Sequence, residues 1–399
     1  MEDYSEVQKR YEPGKVVVAG ANGKVGKKTL KHLMTEPKVS ELVGIVRTEE
    51  KKEKLEHEIS AYRERSPTQN YTRPRIAVAD PNSEIDERYR EAIAEAEVWI
   101  NWKGLSMESL RNSTDRKLSD IAEEKGMQER DLLLGKNLEI TLDDAQMAFD
   151  HSPNTSYIVG INPVDVLVRS VHKYREEKAE KGKYHGENDG NSVLSTGAQM
   201  EYQRLNKLMA KHLESEFDQH LSFDKANGMA IGEHGDNVVF YNLSLGGVSA
   251  EDYLAKKYSM HGSNNPREDA REAVEEIYEK VTTEAIFLRG KTGDTPYIGP
   301  SKVSSDLAQK LLSNGGKENT SVCTYHEEYG PWRDVAMTVP TEIGKDYVEP
   351  IELEFISNPE LTEEQMEVLD SAVEHLSEVN KRADELYQQW KEEKFGKRW

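Results

Sequence analysis

The chain has 399 residues, with 53 Lys plus Arg against 74 Asp plus Glu, for a net charge of −21 at pH 7. A body this acidic offers no positive field to collect phosphates, which excludes nucleic acid and an anionic membrane as main partners. Hydrophobic residues make up only 36%, below the roughly 45–50% usual for globular chains, yet they fall in periodic clusters, which excludes general disorder. The length suits two domains of roughly 100–200 residues each. Cys323 is the single cysteine, so no internal disulfide and no Cys-based zinc site can form, and it reads as a small apolar core residue. The segment MEDYSEVQKRYEPGK carries no apolar h-region, and no apolar run approaches the roughly 20 residues that span a bilayer. The expectation is a soluble cytoplasmic protein.

Along the first half, strand and helix signals alternate. Strands are predicted at Lys15–Ala19, Glu41–Val46, Arg75–Ala79, Val98–Trp102 and Tyr157–Ile161. Helices are predicted from the glycines after Ala19 to Met34, over Lys51–Tyr62 and over Ile85–Ala96. This alternation predicts a parallel, doubly wound sheet with right-handed crossovers. Ser66–Pro74 and Gly104–Ala122 read as loop insertions, and Glu176–Asn191 as a solvated polar excursion. The second half mixes helices with strands at Val238–Leu243, Asp334–Val339 and around Tyr347 and Val348. The predicted class is therefore α/β: a Rossmann sheet over 1–165, then a mixed α+β domain over 166–399. Near the C-terminus, Thr362 and Gln365 have the spacing of a capping box. Met366, Leu369, Val373, Leu376, Ala383, Tyr387 and Trp390 then recur on one helix face, a stripe suited to core or to subunit contact.

The first strand runs directly into Gly20, Asn22, Gly23, Lys24, Val25 and Gly26. Gly20 permits a sharp turn, Gly23 permits close approach to a pyrophosphate, and Gly26 permits the helix to pack on the strand. The helix N-terminus supplies N–H groups and a positive dipole end. A dinucleotide site is predicted. An NAD-specific unit usually ends its second strand in Asp or Glu, which holds the ribose 2′-OH. Here that strand ends Ile45-Val46-Arg47-Thr48. Arg47 suits a 2′-phosphate, so the cofactor is NAD or NADP, and Arg47 favours NADP.

Three further segments carry a resemblance: Asn162-Pro163-Val164-Asp165, Ser195–Arg204 (STGAQMEYQR) and Gly232–Asp236 (GEHGD). In this order and spacing the chain resembles the lactate/malate dehydrogenase family nearly end to end, GEHGD and NPVD being the most specific motifs. The resemblance implies hydride transfer between nicotinamide and a 2-oxo or 2-hydroxy acid. It implies His234 as acid–base and Glu201 as the carboxylate that orients it, where the family carries Asp. It further implies Arg204 as the fork for the substrate carboxylate, Asn162 as a bridge between nicotinamide ribose and substrate, and Thr295, in KTGDTPYIGP, as a pocket hydroxyl. The family's mobile loop matches Ala122–Leu133 poorly. Aligned on Gly126, the carbonyl-polarising arginine falls on Glu129, with Arg130 one place late. The arginine that pairs with the distal carboxylate in malate enzymes is missing, so either Arg111 or Arg116 supplies that charge or the substrate is not malate. Partners expected from the resemblance are a small anionic acid and further copies of the chain, as a homodimer or homotetramer; no metal, nucleic acid or membrane is expected.

Competing interpretations are a short-chain dehydrogenase, whose Tyr-x-x-x-Lys occurs at Tyr174–Lys178 and Tyr253–Lys257, and a non-catalytic Rossmann binding or regulatory protein. GEHGD has no role in the former. With a dehydrogenase beneath it, the −21 becomes an acidic body around positive islands at Gly20–Gly26, Arg130 and Arg204. Screening by salt should then favour anionic ligands, so a salt-adapted enzyme is the expectation.

Overall fold

The computed structural model describes residues 14–65, 71–79, 87–125, 129–182, 193–220, 226–235, 237–292, 298–313, 316–345, 347–351 and 361–396. Val16, Val17 and Val18 form a continuous apolar run, which suits a strand covered on both faces. It lies at the centre of a parallel sheet. The strands are β1 (Gly14–Ala19), β2 (Val39–Val46), β3 (Arg75–Val78), β4 (Val98–Asn101), β5 (Ser156–Val159) and β6 (Val193–Ser195), in the order β3-β2-β1-β4-β5-β6. Its crossover helices include α1 (Lys24–Leu33), α2 (Glu49–Glu64) and α3 (Glu87–Ile93). Period-2 alternation splits β1 between two cores. Val16 and Val18 pack with Leu30 and Leu33 of α1, whereas Val17 and Ala19 pack with Trp99, Tyr157 and the opposite helices.

The segment after β4, expected to be an insertion without structure of its own, instead forms two short helices, α4 (Met107–Arg111) and α5 (Leu118–Glu124). The Ser106 hydroxyl caps α4 by accepting from the Ser109 N–H, a signal that helices this short hide in polar sequence. A 3-10 turn, Glu129–Leu133, then leads into α6 (Leu134–His151), and α7 (Val164–Glu180) connects β5 to β6. The predicted polar excursion from Glu176 begins as the last turn of α7; its remainder lies largely outside the described residues.

Beyond β6 come α8 (Gln199–Phe217), β7 (Ala226–Gly232), β8 (Val238–Leu245), β9 (Val248–Ser249), α9 (Ala250–Met260), α10 (Pro266–Thr292), α11 (Ile298–Leu311), β10 (Glu318–Tyr329), β11 (Trp332–Gly344), β12 (Tyr347–Pro350) and α12 (Glu363–Phe395). The sheet continues without a break, antiparallel from β6 to β10, then β11, then β7 and β8. This is a Rossmann doubly wound sheet followed by a mixed α+β half. A separate apolar core holds α8, α9 and α10 against β7 and β8, through Leu205, Leu213, Leu254, Ile277 and Phe240.

The capping box forms as expected, the Thr362 hydroxyl accepting from Gln365 N–H and the Gln365 side chain from Thr362 N–H. The stripe of α12 is consumed within the same chain: Leu369, Leu376, Ala383, Tyr387 and Trp390 are buried in the core shared with α6, α7 and β11. Arg169 on α7 locks this packing, pairing through both sides of its guanidinium with Asp334 and Asp384 at 2.6–3.0 Å. Tyr174 and Lys178 belong to that interface too. Tyr174 meets Trp390 edge-on, and the Lys178 ammonium lies over Phe395, a packing role for the first of the two Tyr-x-x-x-Lys matches. Cys323 is fully buried in β10, as the composition suggested. No helix among the described residues is long and apolar enough to cross a membrane.

One row of residues matters for everything below. In register across the sheet stand Ala77, Ile45, Ala19, Asn101, Val159, Ser195, Cys323, Thr338 and Gly232. The glycine loop, the NPVD turn, the STGAQMEYQR segment and GEHGD all leave the sheet just past this row.

Candidate active site

Gly20 follows Ala19 immediately and has φ of +73°. A Cβ there would stand 2.7 Å from the Trp102 carbonyl, and one on Gly26 would stand 2.4 Å from the Gly20 oxygen. Larger side chains at either position would push the loop off the strand or α1 off the sheet. Gly23 caps α1 without any side-chain bond, and the first turn of α1 carries no acidic residue. Its N–H groups therefore keep their capacity for an external anion. Gly23 and Lys24 are exposed, Asn22 and Val25 are half-buried, and Gly26 is buried. The loop lies between β1 and β4, at the point where strand order reverses, the usual crevice for a dinucleotide in such sheets. These features fit a pyrophosphate: a steric cradle, an uncapped helix end and the switch point coincide. Arg47 is exposed two residues past Ile45, the partner of Ala19, on the same edge. Thr48 beside it is already committed, capping α2 through Lys51 N–H.

The imidazole cluster forms two residues past Gly232. His234 Nδ1 lies 3.2 Å from Glu201 Oε2, and the other Glu201 oxygen accepts from Arg204 Nη1 at 3.1 Å. Glu201 and Arg204 stand three apart on α8, so they share a face. One carboxylate serves both neighbours, an oxygen to each. Glu201 is only 2% exposed. Burial alone would raise its pKa, but the charges of His234 and Arg204 outweigh it and hold the carboxyl below its ordinary value. The cluster thus sets a buried carboxylate between a guanidinium and an imidazole.

Asp165, part of NPVD but assigned no task from the sequence, anchors the turn. Its Oδ2 accepts from the His234 backbone N–H at 3.1 Å. It also borders Cys323, whose thiol is pushed well up by burial and by that carboxylate. Asn137 is a second residue that pattern reading passed over. Fully buried on α6, it accepts from Leu105 N–H at 2.7 Å and donates to the carbonyls of Leu105 and Asn162 at 3.1 and 2.7 Å. It ties the segment after β4 to the turn holding Asn162. Its only signal was an Asn on the buried helical face that also carries Leu134, Leu138, Thr141 and Leu142.

Thr295 lies outside the described residues, and Arg130 is described only in its backbone, within the 3-10 turn. The arginines proposed as substitutes are matched by carboxylates: Arg111 lies 3.7 Å from Glu129, and Arg116 pairs with Glu124 at 2.6 Å. Both pairs are exposed, so solvent and salt screen them. Among the described residues no cluster of three metal-ligating side chains occurs.

The chain has relatives among curated proteins. It is 26% identical over 225 residues to a malate dehydrogenase of Methanothermobacter marburgensis, a match covering 56% of this chain and 62% of that one. A malate dehydrogenase of Bacillus cytotoxicus is 28% identical over 263 residues, 65% of this chain and 72% of that one. Among solved structures, the malate dehydrogenase of Plasmodium falciparum superposes with a TM-score of 0.69 over 94% of this chain and 99% of that one, at 15% identity. A lactate dehydrogenase from a deep-sea metagenome superposes with 0.69 over 93% and 99%, at 19% identity. In sequence the chain is similar to malate dehydrogenases, and in fold to malate and lactate dehydrogenases. Its match spans less than two thirds of the length of the first such relatives, the Methanothermobacter enzymes, and no family model matches it.

Proposed function

We propose that the chain is an NAD(P)-dependent 2-hydroxyacid dehydrogenase, with 1–165 as the dinucleotide half and 166–399 as the substrate half. The observation that carries it is the shared Glu201 carboxylate, which sets an acid–base imidazole and an anion-binding guanidinium side by side just past one row of the sheet. Relatives named malate dehydrogenase, and a Plasmodium falciparum structure of one in complex with NADH, support the assignment.

When bound, the nicotinamide supplies or accepts the hydride at the substrate's C2. Gly20, Asn22, Gly23, Lys24, Val25 and Gly26 would hold the pyrophosphate. Arg47, in place of a carboxylate at the end of β2, favours a 2′-phosphate and hence NADP. Arg204 grips the substrate carboxylate, and Asn162 bridges ribose and substrate. Glu201 holds the Nδ1 side of His234, so proton exchange with the substrate oxygen falls to Nε2. In reduction the carbonyl carbon takes the hydride, its oxygen takes the His234 proton, and the ring is left neutral; oxidation reverses each transfer. Arg130 would polarise the carbonyl, with Thr295 lining the pocket. The substrate is a small 2-oxo or 2-hydroxy acid, and a homodimer or homotetramer rests on the family likeness, since the stripe of α12 is used within the chain.

The test is loss of reduced-nicotinamide absorbance with pyruvate, oxaloacetate and longer 2-oxo acids, each with NADH and NADPH. Turnover should fall at least a hundredfold in His234→Ala, and Arg204→Ala should chiefly raise the KM for the 2-oxo acid. Cofactor binding without turnover of any acid would make the chain a binding module instead.

A further inference from the structure

GEHGD contains a second ion-pair partner whose purpose lies outside the cluster just described. Glu233, adjacent to His234, sends Oε1 to His375 Nδ1 at 3.0 Å, while its other oxygen accepts from Asn237 Nδ2 at 2.9 Å. The opposite ring nitrogen, His375 Nε2, lies 3.2 Å from Oδ2 of Asp131, the residue after Arg130. His375 sits on α12, Glu233 past the end of β7, and Asp131 in the 3-10 turn Glu129–Leu133. One imidazole therefore joins three elements that are distant in sequence. Both carboxylates are buried, with side chains 1% and 3% exposed, and the ring itself is 19% exposed.

The chemistry of this bridge is restrictive. An ionised carboxylate only accepts, and a neutral imidazole donates from one nitrogen while presenting a lone pair at the other. With a carboxylate at each nitrogen, only the imidazolium satisfies both. A neutral ring would turn a lone pair towards one buried carboxylate, with a second carboxylate across the ring, a repulsive contact in place of a charge-assisted hydrogen bond.

We propose that His375 is a positioning residue: as an imidazolium it locks the turn that carries Arg130 onto the turn that carries His234, and loss of its proton opens the lock. This deepens the dehydrogenase assignment and rests on it, because the purpose of the lock is to set the arginine-bearing segment against the acid–base. The two halves of GEHGD then face opposite ways, His234 towards Glu201 and Glu233 towards His375.

The groups acting on His375 are consistent with such a device. Hydrogen bonds from Asp131 and Glu233 raise its pKa to about 9 against the opposing effect of burial. On its own helix the nearest charges, Glu374 and Glu378, are exposed. On α6, packed alongside, Lys136 and Glu139 pair with each other.

The experiment uses the full chain and the substitutions His375→Gln and Asp131→Asn. The first readout is amide hydrogen exchange of residues 129–134 without cofactor, corrected for the intrinsic effect of pH. The second is kcat and KM for 2-oxo acid reduction, across pH 6 to 10. The wild-type chain should lose at least tenfold protection of 129–134 between pH 8 and 10, with kcat falling over the same interval and the cofactor KM steady. His375→Gln should show that loss already at pH 7. Asp131→Asn should keep its protection at pH 10, because an amide there can donate to the lone pair of the neutral ring. Protection that ignores both pH and His375→Gln overturns the lock. If Asp131→Asn shows the wild-type alkaline loss, the proton of His375 is not its cause and the proposal fails. Absence of turnover in every form, wild type included, removes the dehydrogenase assignment and the positioning role with it, while the exchange data still decide whether the lock exists.

Discussion

Replacing Glu201 by Gln removes one charge and little else. The amide is nearly isosteric, remains buried, and can still accept a hydrogen bond from His234 Nδ1, now 3.2 Å from a carboxylate oxygen. What disappears is attraction between the anion and the protonated ring. At about 4 Å between charge centres and an effective dielectric of about 20, that attraction is about 4 kcal/mol. This is a ceiling, because Arg204 at 3.1 Å already neutralises part of the carboxylate. At about 1.4 kcal/mol per factor of ten, the ceiling corresponds to roughly a thousandfold and a halved attraction to about thirtyfold. We therefore expect kcat/KM for 2-oxo acid reduction at pH 7 to fall between about thirty- and a thousandfold. The interaction is reciprocal: the charge of His234 holds the Glu201 carboxyl down, so the carboxylate favours the protonated ring. The activity that remains should accordingly decline at lower pH than in the wild-type chain. Steady-state reduction by absorbance, with circular dichroism as a control for folding, measures both effects. A folded Glu201→Gln protein within twofold of wild type at pH 7 would refute the role assigned to this carboxylate.

Further outcomes follow from particular contacts. His326 is buried beside Tyr329, and burial, with His172 adding, lowers its pKa to about 4. The unfolded chain therefore takes the extra proton between about pH 6.5 and 4, and stability should fall by about 3 kcal/mol over that window; chemical denaturation at pH 7 and 4 should show a shallower fall in His326→Gln. Asn137→Ala strands the Leu105 N–H and two carbonyls, so a loss of about 2–4 kcal/mol is expected, read as a lowered denaturation midpoint with a raised KM for the 2-oxo acid. Arg47→Ala should weaken NADPH at least tenfold while leaving NADH within about threefold, a change in both alike being the contrary result. Raising salt from 0.1 to 2 M should increase activity or thermal midpoint through screening of the −21 charge; decline in both would make the acidity a plain surface trait.

Most of the architecture was legible from local pattern. The valine run of β1, the glycines behind it and the capping box of α12 each announce themselves within a dozen residues, because strand period, tight turns and helix caps are local physics. GEHGD, NPVD and the α8 motif were likewise visible as segments, and Glu201 and Arg204 share a helix face by spacing alone. The short helices after β4 were missed because polar helices of two turns or fewer carry too little periodicity to stand out from loop.

Sequence alone could not say which segments would meet. The row from Ala77 to Gly232 joins residues far apart in the chain, and register across a sheet is a property of hydrogen bonding between strands rather than of any one strand. Only that row places the Gly20 turn, the start of α8 and the His234 turn along one edge. The destination of the α12 stripe was equally undecided, since an apolar face specifies that it must be covered and not by what; α6, α7 and β11 cover it. The partners of Asn137, Asp165 and His375 were invisible for the same reason. A polar residue on a helix or turn declares its donors and acceptors, but long-range packing alone brings it the groups that answer them.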